Sequence, residues 1–121
     1  MIQGLRTISY PVDDLAKAKG WYTEVLGLAP YFDQPFYVGF AVGGFELGLV
    51  PDGEPGTAGC VAFWGVDNIE NEAARIVALG ASWHSAIQDV GEGIKVAELK
   101  DPFGNLFGLI LNPHFDVAAV R

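Results

Sequence analysis

Few residues of this sequence have the types and spacings that chemistry at an active site usually requires. Cys60 is the only cysteine, and no histidine or cationic residue adjoins it to produce a reactive thiolate. His84 and His114 lie far apart, so no HxxxH or HExxH pair for zinc exists, and both are predicted to be structural or surface residues. The phosphate-binding patterns GxxxxGK[ST] and GxGxxG are missing, which argues against nucleotide binding. The GxSxG pattern that carries the nucleophile of serine hydrolases is also missing.

Composition narrows the class of protein further. The chain has 121 residues, of which 50% are hydrophobic and 18% charged, so we expect a single folded domain. Seven basic residues against 15 acidic ones give a net charge of −8 and no basic patch, which excludes the usual nucleic-acid and anionic-membrane binders. A cationic partner would be attracted. The N-terminus lacks a signal-peptide pattern and no apolar run reaches the ~20 residues of a membrane span, so we expect a soluble protein of a reducing cytoplasm.

The elements that must position any site follow from periodicity and punctuation. Asp13 and Asp14 are candidate caps for a helix that Gly27 ends, and Asn68 caps a second helix that Gly80 ends. The segment 30–35 is predicted to be a connection, and residues 101–105 (DPFGN) a turn. The predicted strands are Leu5–Val12, Phe36–Val42, Phe45–Val50, Cys60–Val66, Trp83–Ile87, Ile94–Leu99 and Leu106–Leu111.

The two halves of the chain repeat the same order of segments. Residues 12–15 (VDDL) match 66–69 (VDNI), Leu26-Gly27 matches Leu79-Gly80, and 47–49 match 107–109. The predicted organisation is a first module at about 4–50, a Gly/Pro-rich linker at 51–59, a second module at about 60–113 and a tail at 114–121. Each module has the order β-α-β-β-β if one strand precedes its hairpin.

In these motifs the chain resembles the vicinal oxygen chelate superfamily, which includes glyoxalase I, extradiol dioxygenases and bleomycin-resistance proteins. The resemblance covers about residues 4–113, and the Asp-Pro-x-Gly-Asn turn before the last strand is its most specific element. It implies an α+β fold in which two paired βαβββ modules form curled mixed sheets around a shared cavity. It also implies a homodimer.

The resemblance places four metal-ligand positions, two in each module. The first-strand position lies five residues before the valine of VxDL and falls on Thr7 and Val61. The last-strand position falls on Gly108, and on Gly48 by the repeat. Glycine has no donor atom beyond the backbone, valine cannot coordinate, and a lone threonine is a poor ligand. We therefore predict neither a metal nor another cofactor at the inherited site.

Strand alternation and family position predict which residues face the cavity. They are Thr7, Ser9, Tyr37, Gly39, Ala41, Glu46, Gly48, Val61, Phe63, Val96, Glu98 and Gly108. Glu46 and Glu98 are its two candidate carboxylates, suited to a cationic or hydrogen-bonding ligand or to general-base catalysis. The alternative for each is a solvated rim position or an internal salt bridge. The cations considered for such a bridge are Lys95, Lys100 and Arg6.

Three hypotheses follow. The first is a metal-independent, dimeric protein that holds a small organic molecule, with the net charge favouring a cation. The second is a glyoxalase-like lyase, isomerase or dioxygenase, using either Glu46 or Glu98 in acid/base chemistry or a relocated metal site formed by His84, Glu46 and Glu98. The third is an interaction module with a collapsed cavity. Metal content and the effect of Glu46→Gln or Glu98→Gln on turnover separate the first two.

Overall fold

Sheet topology repeats in the two halves of the chain. The computed structural model describes Met1, residues 5–58 and residues 60–119; the predicted start of the first module at residue 4, Gly59 of the linker and the last two tail residues lie outside this range. Within this range the chain forms two α-helices and eight strands. The strands form two mixed four-stranded sheets, which gives an α+β architecture. One compact unit comprises the chain up to Pro55 together with the segment from Asp116, and the other is Gly56–Phe115.

The first unit contains α1 and four strands. The elements are β1 (Thr7–Pro11), α1 (Leu15–Leu26), β2 (Phe32–Gln34), β3 (Tyr37–Val42) and β4 (Phe45–Val50), followed near the end of the chain by a short 3-10 helix at Val117–Ala119. The strand order is β1-β4-β3-β2, with β1 parallel to β4 and the other pairs antiparallel.

The second unit repeats this arrangement. Its elements are β5 (Phe63–Gly65), α2 (Ile69–Ala78), β6 (Ser82–Gly91), β7 (Ile94–Lys100) and β8 (Leu106–Leu111). The order is β5-β8-β7-β6, again with one parallel pair, between β5 and β8. Ser9 pairs with Gly48 and Phe63 pairs with Gly108, so the repeat predicted from sequence holds at the level of strand register.

Capping residues fix both helices where the sequence predicts. The Asp14 side chain accepts a hydrogen bond from the Lys17 N–H at 3.1 Å, and Gly27 ends α1 in the left-handed conformation. Asn68 caps α2 by accepting from Asn71 N–H at 3.0 Å. No helix within the described residues is long and apolar enough to cross a bilayer.

The strand predictions differ from the structure most at three places. The segment 30–35 is more than a connection, because β2 pairs with β3 through Phe32↔Gly39. The strand predicted at Cys60–Val66 is shorter in the structure and spans Phe63–Gly65, in parallel register with β8. The strand predicted at Trp83–Ile87 extends to Gly91, with register shifts that let it continue beside β7.

Each unit buries one face of its sheet against its own helix. Tyr22 of α1 and Phe40, Leu47 and Leu49 of the first sheet are fully buried, as alternation along β3 and β4 requires. Ile69 and Ile76 of α2 pack in the same way with Leu99, Phe107 and Leu109. The face of each sheet opposite its helix, here called the open face, carries the predicted site residues.

The DPFGN turn aligns β8 through a buried aspartate. Asp101 is 3% exposed, and its Oδ1 accepts hydrogen bonds from the N–H groups of Phe103 and Asn105, both at 2.9 Å. The Asn105 side chain accepts in turn from Gly56 N–H at 3.1 Å, which ties the turn to the start of the second unit. Gly104 has a φ of 99°, which explains the glycine of the motif.

Candidate functional site

Glu46 is the centre of a hydrogen-bonded cluster on the open face of the first sheet. Its Oε1 accepts from the Thr7 hydroxyl at 3.0 Å and from the Tyr37 hydroxyl at 2.6 Å. Its Oε2 accepts from the Tyr31 hydroxyl. Three neutral hydroxyl donors therefore hold one half-buried carboxylate in a single orientation.

Strand register brings these four side chains together. Thr7 lies opposite Glu46 in the parallel β1–β4 pair, and Ala41 lies opposite it on β3. Gly43-Gly44 forms the tight turn of the β3–β4 hairpin, with positive φ at both residues, and this confirms the predicted pairing. Tyr31 is tethered just before β2, because its N–H donates to the Gly39 carbonyl at 2.9 Å.

Two glycines make room for the tyrosines. A Cβ atom on Gly48 would lie 2.2 Å from the Tyr37 hydroxyl oxygen and 2.7 Å from its Cζ, so the ring occupies the space a side chain would take. A Cβ on Gly39 would lie 3.0 Å from Glu46 Oε2 and 3.2 Å from a Tyr31 ring carbon. The Tyr37 ring thus excludes a side chain at residue 48, and a side chain at residue 39 would crowd the cluster.

The hydrogen bonds separate the pKa values of the acid and its donors. Hydrogen bonds from Tyr31 and then Tyr37 hold the pKa of Glu46 below its usual value. Burial, followed by the hydrogen bond to Glu46, raises the pKa of Tyr37 to about 12, and the same carboxylate raises the pKa of Tyr31. The cluster therefore holds a fixed negative charge at neutral pH, with reduced basicity at Glu46 and reduced acidity at both phenols.

Exposed aromatic rings adjoin the carboxylate. Tyr31 is 63% and Phe36 66% exposed, large fractions for such side chains. The Phe32 ring centroid lies 6.0 Å from those of Phe36 and Tyr37, in edge-to-face geometry. Tyr31, Phe32, Phe36 and Tyr37 form what we call the aromatic strip.

The open face of the second sheet is built differently. Phe63 is 45% exposed and covers Gly108: a Cβ on Gly108 would lie 2.6 Å from the Phe63 ring and 2.8 Å from the Ala62 carbonyl oxygen. Glu98 pairs with Gly108 and with Ser85 in the same row of the sheet. In the part of the chain that the structure describes, the half-buried Glu98 carboxylate forms no hydrogen bond or ion pair.

Comparison with known proteins identifies the family. Residues 4–109 match the family model of the Glyoxalase/Bleomycin resistance protein/Dioxygenase superfamily. The chain belongs to this superfamily. No curated protein gives a significant sequence match to it.

Solved structures share the fold of this chain at low sequence identity. A lactoylglutathione lyase from Agrobacterium tumefaciens is 19% identical with a TM-score of 0.78, and the alignment covers 96% of this chain and 100% of that one. A glyoxalase-related enzyme from Fulvimarina pelagi is 20% identical, with a TM-score of 0.75 and coverage of 93% and 90%. TioX from Micromonospora sp. ML1 is 21% identical, with a TM-score of 0.72 and coverage of 89% and 98%. At these identities the likeness establishes the fold alone.

The residues at the four predicted metal-ligand positions do not fit a divalent cation. Gly48 and Gly108 offer no side-chain donor, and an aromatic ring fills the space above each. Val61 is apolar, and the Thr7 hydroxyl donates a hydrogen bond to Glu46. Among the described residues, no group of three or more His, Cys, Asp or Glu side chains converges to hold a metal ion.

The structure brings together the predicted site residues around Glu46 and adds Tyr31 to them. Thr7, Tyr37 and Glu46 are joined by hydrogen bonds, with Gly39 and Gly48 beneath them. Ser9 also reaches Tyr37, where its hydrogen bond opposes the rise in the phenol's pKa. Val61, Phe63, Val96, Glu98 and Gly108 all lie in the second unit.

Sequence reasoning missed Tyr31, because the segment that carries it was read as a connection. Its signal was a run of aromatic residues around Asp33, which is unusual for a solvated loop. Lys95, considered as a partner for the candidate carboxylates, instead pairs with Glu70 of α2 at 3.1 Å. His84 and Cys60 are exposed, and His114 Nε2 lies 2.8 Å from the Glu92 carbonyl oxygen.

Proposed function

We propose that this protein binds a small organic molecule on the open face of its first sheet, without a metal ion. The observation that supports the proposal is the replacement of metal ligands by packed aromatic rings: Tyr37 fills the space at Gly48, and Phe63 fills the space at Gly108. A Lewis-acid site needs several converging donors, whereas a surface of exposed rings around one fixed carboxylate suits recognition of an organic ligand.

The electrostatics of the cluster favour binding over proton transfer. An efficient general base has a pKa near the working pH, but the hydroxyl donors move the pKa of Glu46 further below it. Tyr37, with a pKa of about 12, is a poor acid for the same reason. The cluster is therefore suited to positioning a ligand through charge and hydrogen bonds.

A second candidate function is glyoxalase-like lyase or isomerase chemistry in the second unit. The observation that favours it is Glu98, whose carboxylate is half-buried beside Ser85 and Gly108 and makes no hydrogen bond or ion pair with the described residues. Its oxygens are therefore free to accept a hydrogen bond from a bound substrate. This alternative predicts turnover of a small carbonyl substrate that Glu98→Gln abolishes and Glu46→Gln spares.

A thermal-shift screen of chelator-treated protein tests the proposed function. A ligand present at ten times its Kd stabilises the folded state by about 1.4 kcal/mol. That raises the Tm of a chain of this length by about 4–8 °C. We expect hits from a chemically mixed library in EDTA, weakened by Tyr37→Ala and unchanged by Glu24→Gln, which alters an exposed residue of α1.

Two results would contradict the proposal. Hits that occur only after loading with Ni, Zn, Mn or Fe(II) would show that a metal carries the binding. Hits that persist unchanged in Tyr37→Ala but vanish in Phe63→Ala would move the site to the second unit.

A further inference from the structure

We infer that the ligand of this site is a protonated organic amine, whose N–H donates to Glu46 Oε2 while its apolar body lies on the aromatic strip. This inference rests on the proposed function and specifies its ligand class. It follows from the hydrogen bonds that the two oxygens of Glu46 accept, from the packing of Gly39 against Oε2, and from the exposed aromatic rings nearby.

The carboxylate has an acceptor position to spare. A carboxylate oxygen accepts about two hydrogen bonds. Oε1 accepts two, from Thr7 and Tyr37, whereas Oε2 accepts one, from Tyr31. Oε2 therefore accepts one hydrogen bond fewer from the described residues than Oε1 does, on the side where the exposed Tyr31 ring lies.

Gly39 is buried and packs against that oxygen. A Cβ atom there would lie 3.0 Å from Oε2, so any larger residue would crowd this oxygen. Glycine at residue 39 adopts no left-handed backbone that would require it, since its φ is not among the positive ones. Glycine at residue 39 therefore allows close packing against Oε2.

Among the described residues, no cationic side chain forms an ion pair with Glu46. Its hydrogen-bond partners are three neutral hydroxyls. The ion pairs of the described residues join Lys19 to Asp33, Arg75 to Glu72 and Lys95 to Glu70, and none reaches Glu46. A half-buried carboxylate without a counter-ion is best completed by a cation, and the net charge of −8 attracts one over a longer range.

The aromatic strip suits the rest of such a ligand. Cations are attracted to the faces of tyrosine and phenylalanine rings, and more strongly where water is partly excluded. Tyr31 lies directly beside the open acceptor, and Phe32 and Phe36 extend the apolar surface away from it. An amine with an aromatic or alkyl body therefore satisfies both the charge and the exposed rings.

Three probes of similar shape separate charge from shape. N,N-dimethylbenzylamine is a cation with one N–H at neutral pH, N,N-dimethylbenzamide is neutral, and phenylacetate is an anion. We expect NMR titrations to give the cation at least about tenfold tighter binding than the amide, the usual scale of one charge-assisted hydrogen bond. Phenylacetate is expected to bind more weakly than either.

Matched variants locate the interaction. Glu46→Gln, whose fold is checked by circular dichroism, is expected to weaken the cation about tenfold or more and to leave the amide within about twofold. Gly39→Ala tests the same contact by crowding Oε2 while keeping the charge, and is also expected to weaken the cation selectively. Glu24→Gln removes one charge from an exposed position of the same unit and is expected to change neither.

The outcomes separate this inference from the proposed function. If the amide binds as tightly as the amine, or if Glu46→Gln has no effect, the ammonium assignment is wrong while ligand binding at the strip stands. If no probe binds, the assignment is wrong and the library screen alone decides the proposed function. If Glu98→Gln weakens the amine and Glu46→Gln does not, the cation belongs to the second unit and the assignment is overturned.

Discussion

Replacement of Gly48 by alanine tests the packing on which the site is built. The added Cβ would lie 2.2, 2.7 and 2.9 Å from the Oη, Cζ and Cε1 atoms of Tyr37, so the phenol has to move. Overpacking of this kind costs about 1–3 kcal/mol. Loss of the 2.6 Å bond to Glu46 adds about 1 kcal/mol, towards the lower end for a charged acceptor because the group is only half-buried.

We therefore expect Gly48→Ala to reduce the free energy of unfolding by about 2–4 kcal/mol in urea titrations. In a Tyr37→Ala background the obstructing ring is gone, so the same substitution is expected to be neutral or to stabilise by up to about 1 kcal/mol, the usual gain of alanine over glycine. The coupling between the two positions is then at least about 2 kcal/mol. If the stability effects of the two substitutions add to within the roughly 0.5 kcal/mol typical of independent sites, Tyr37 does not fill the space of a side chain at residue 48.

Gly108 provides the matched comparison in the second unit. Its Cβ would meet the Phe63 ring at 2.6 Å and also the Ala62 carbonyl oxygen at 2.8 Å. A ring can swing aside, but this carbonyl accepts the Gly108 N–H at 2.9 Å and belongs to the backbone. Gly108→Ala is therefore expected to destabilise the protein in the Phe63→Ala background as well, and full rescue there would contradict the structure.

Three further predictions follow from the hydrogen bonds. A spectrophotometric titration at 295 nm should show one tyrosine ionising near pH 12 that Tyr37→Phe removes; because burial is the largest cause, Glu46→Gln should lower that pKa only in part. Since the folded pKa of Glu46 lies below 4.5, its stabilising contribution is present above pH 4.5 and is lost as the pH falls through the folded value; urea midpoints at pH 7 and pH 3 should therefore differ less in Glu46→Gln than in wild type. Asp101→Ala should cost about 2–4 kcal/mol, because two N–H groups lose a buried acceptor, whereas the exposed Asp52→Ala should stay within about 0.5 kcal/mol; equal effects would contradict the role of the turn.

The sequence predicted the parts of the fold that local chemistry determines. Asp14 and Gly27 bound α1 because capping is satisfied within a single turn of chain. The Gly43-Gly44 turn set the register of β3 and β4, and that register placed Glu46 and Gly48 on the open face. The repeat of motifs implied the repeat of sheets.

The details that the sequence did not reveal depend on tertiary contacts. β2 is a three-residue edge strand between Pro30 and Pro35, too short to show alternation, so Tyr31 escaped notice. The predicted register placed Tyr37 of β3 on the same face as Gly48 of β4. Only the structure shows that the Tyr37 ring lies over Gly48. The fit of a ring into a missing side chain is a property of shape, which residue types alone do not encode.

Metal content per chain tests the central claim most directly. The protein is purified without chelator, equilibrated separately with Ni, Zn, Mn and Fe(II), desalted and subjected to elemental analysis. We predict far less than one metal ion per chain in every sample, and we expect EDTA to leave binding of the amine probe unchanged. About one tightly held metal ion per chain, or probe binding that requires it, would contradict the claim that aromatic rings have taken the place of the metal ligands.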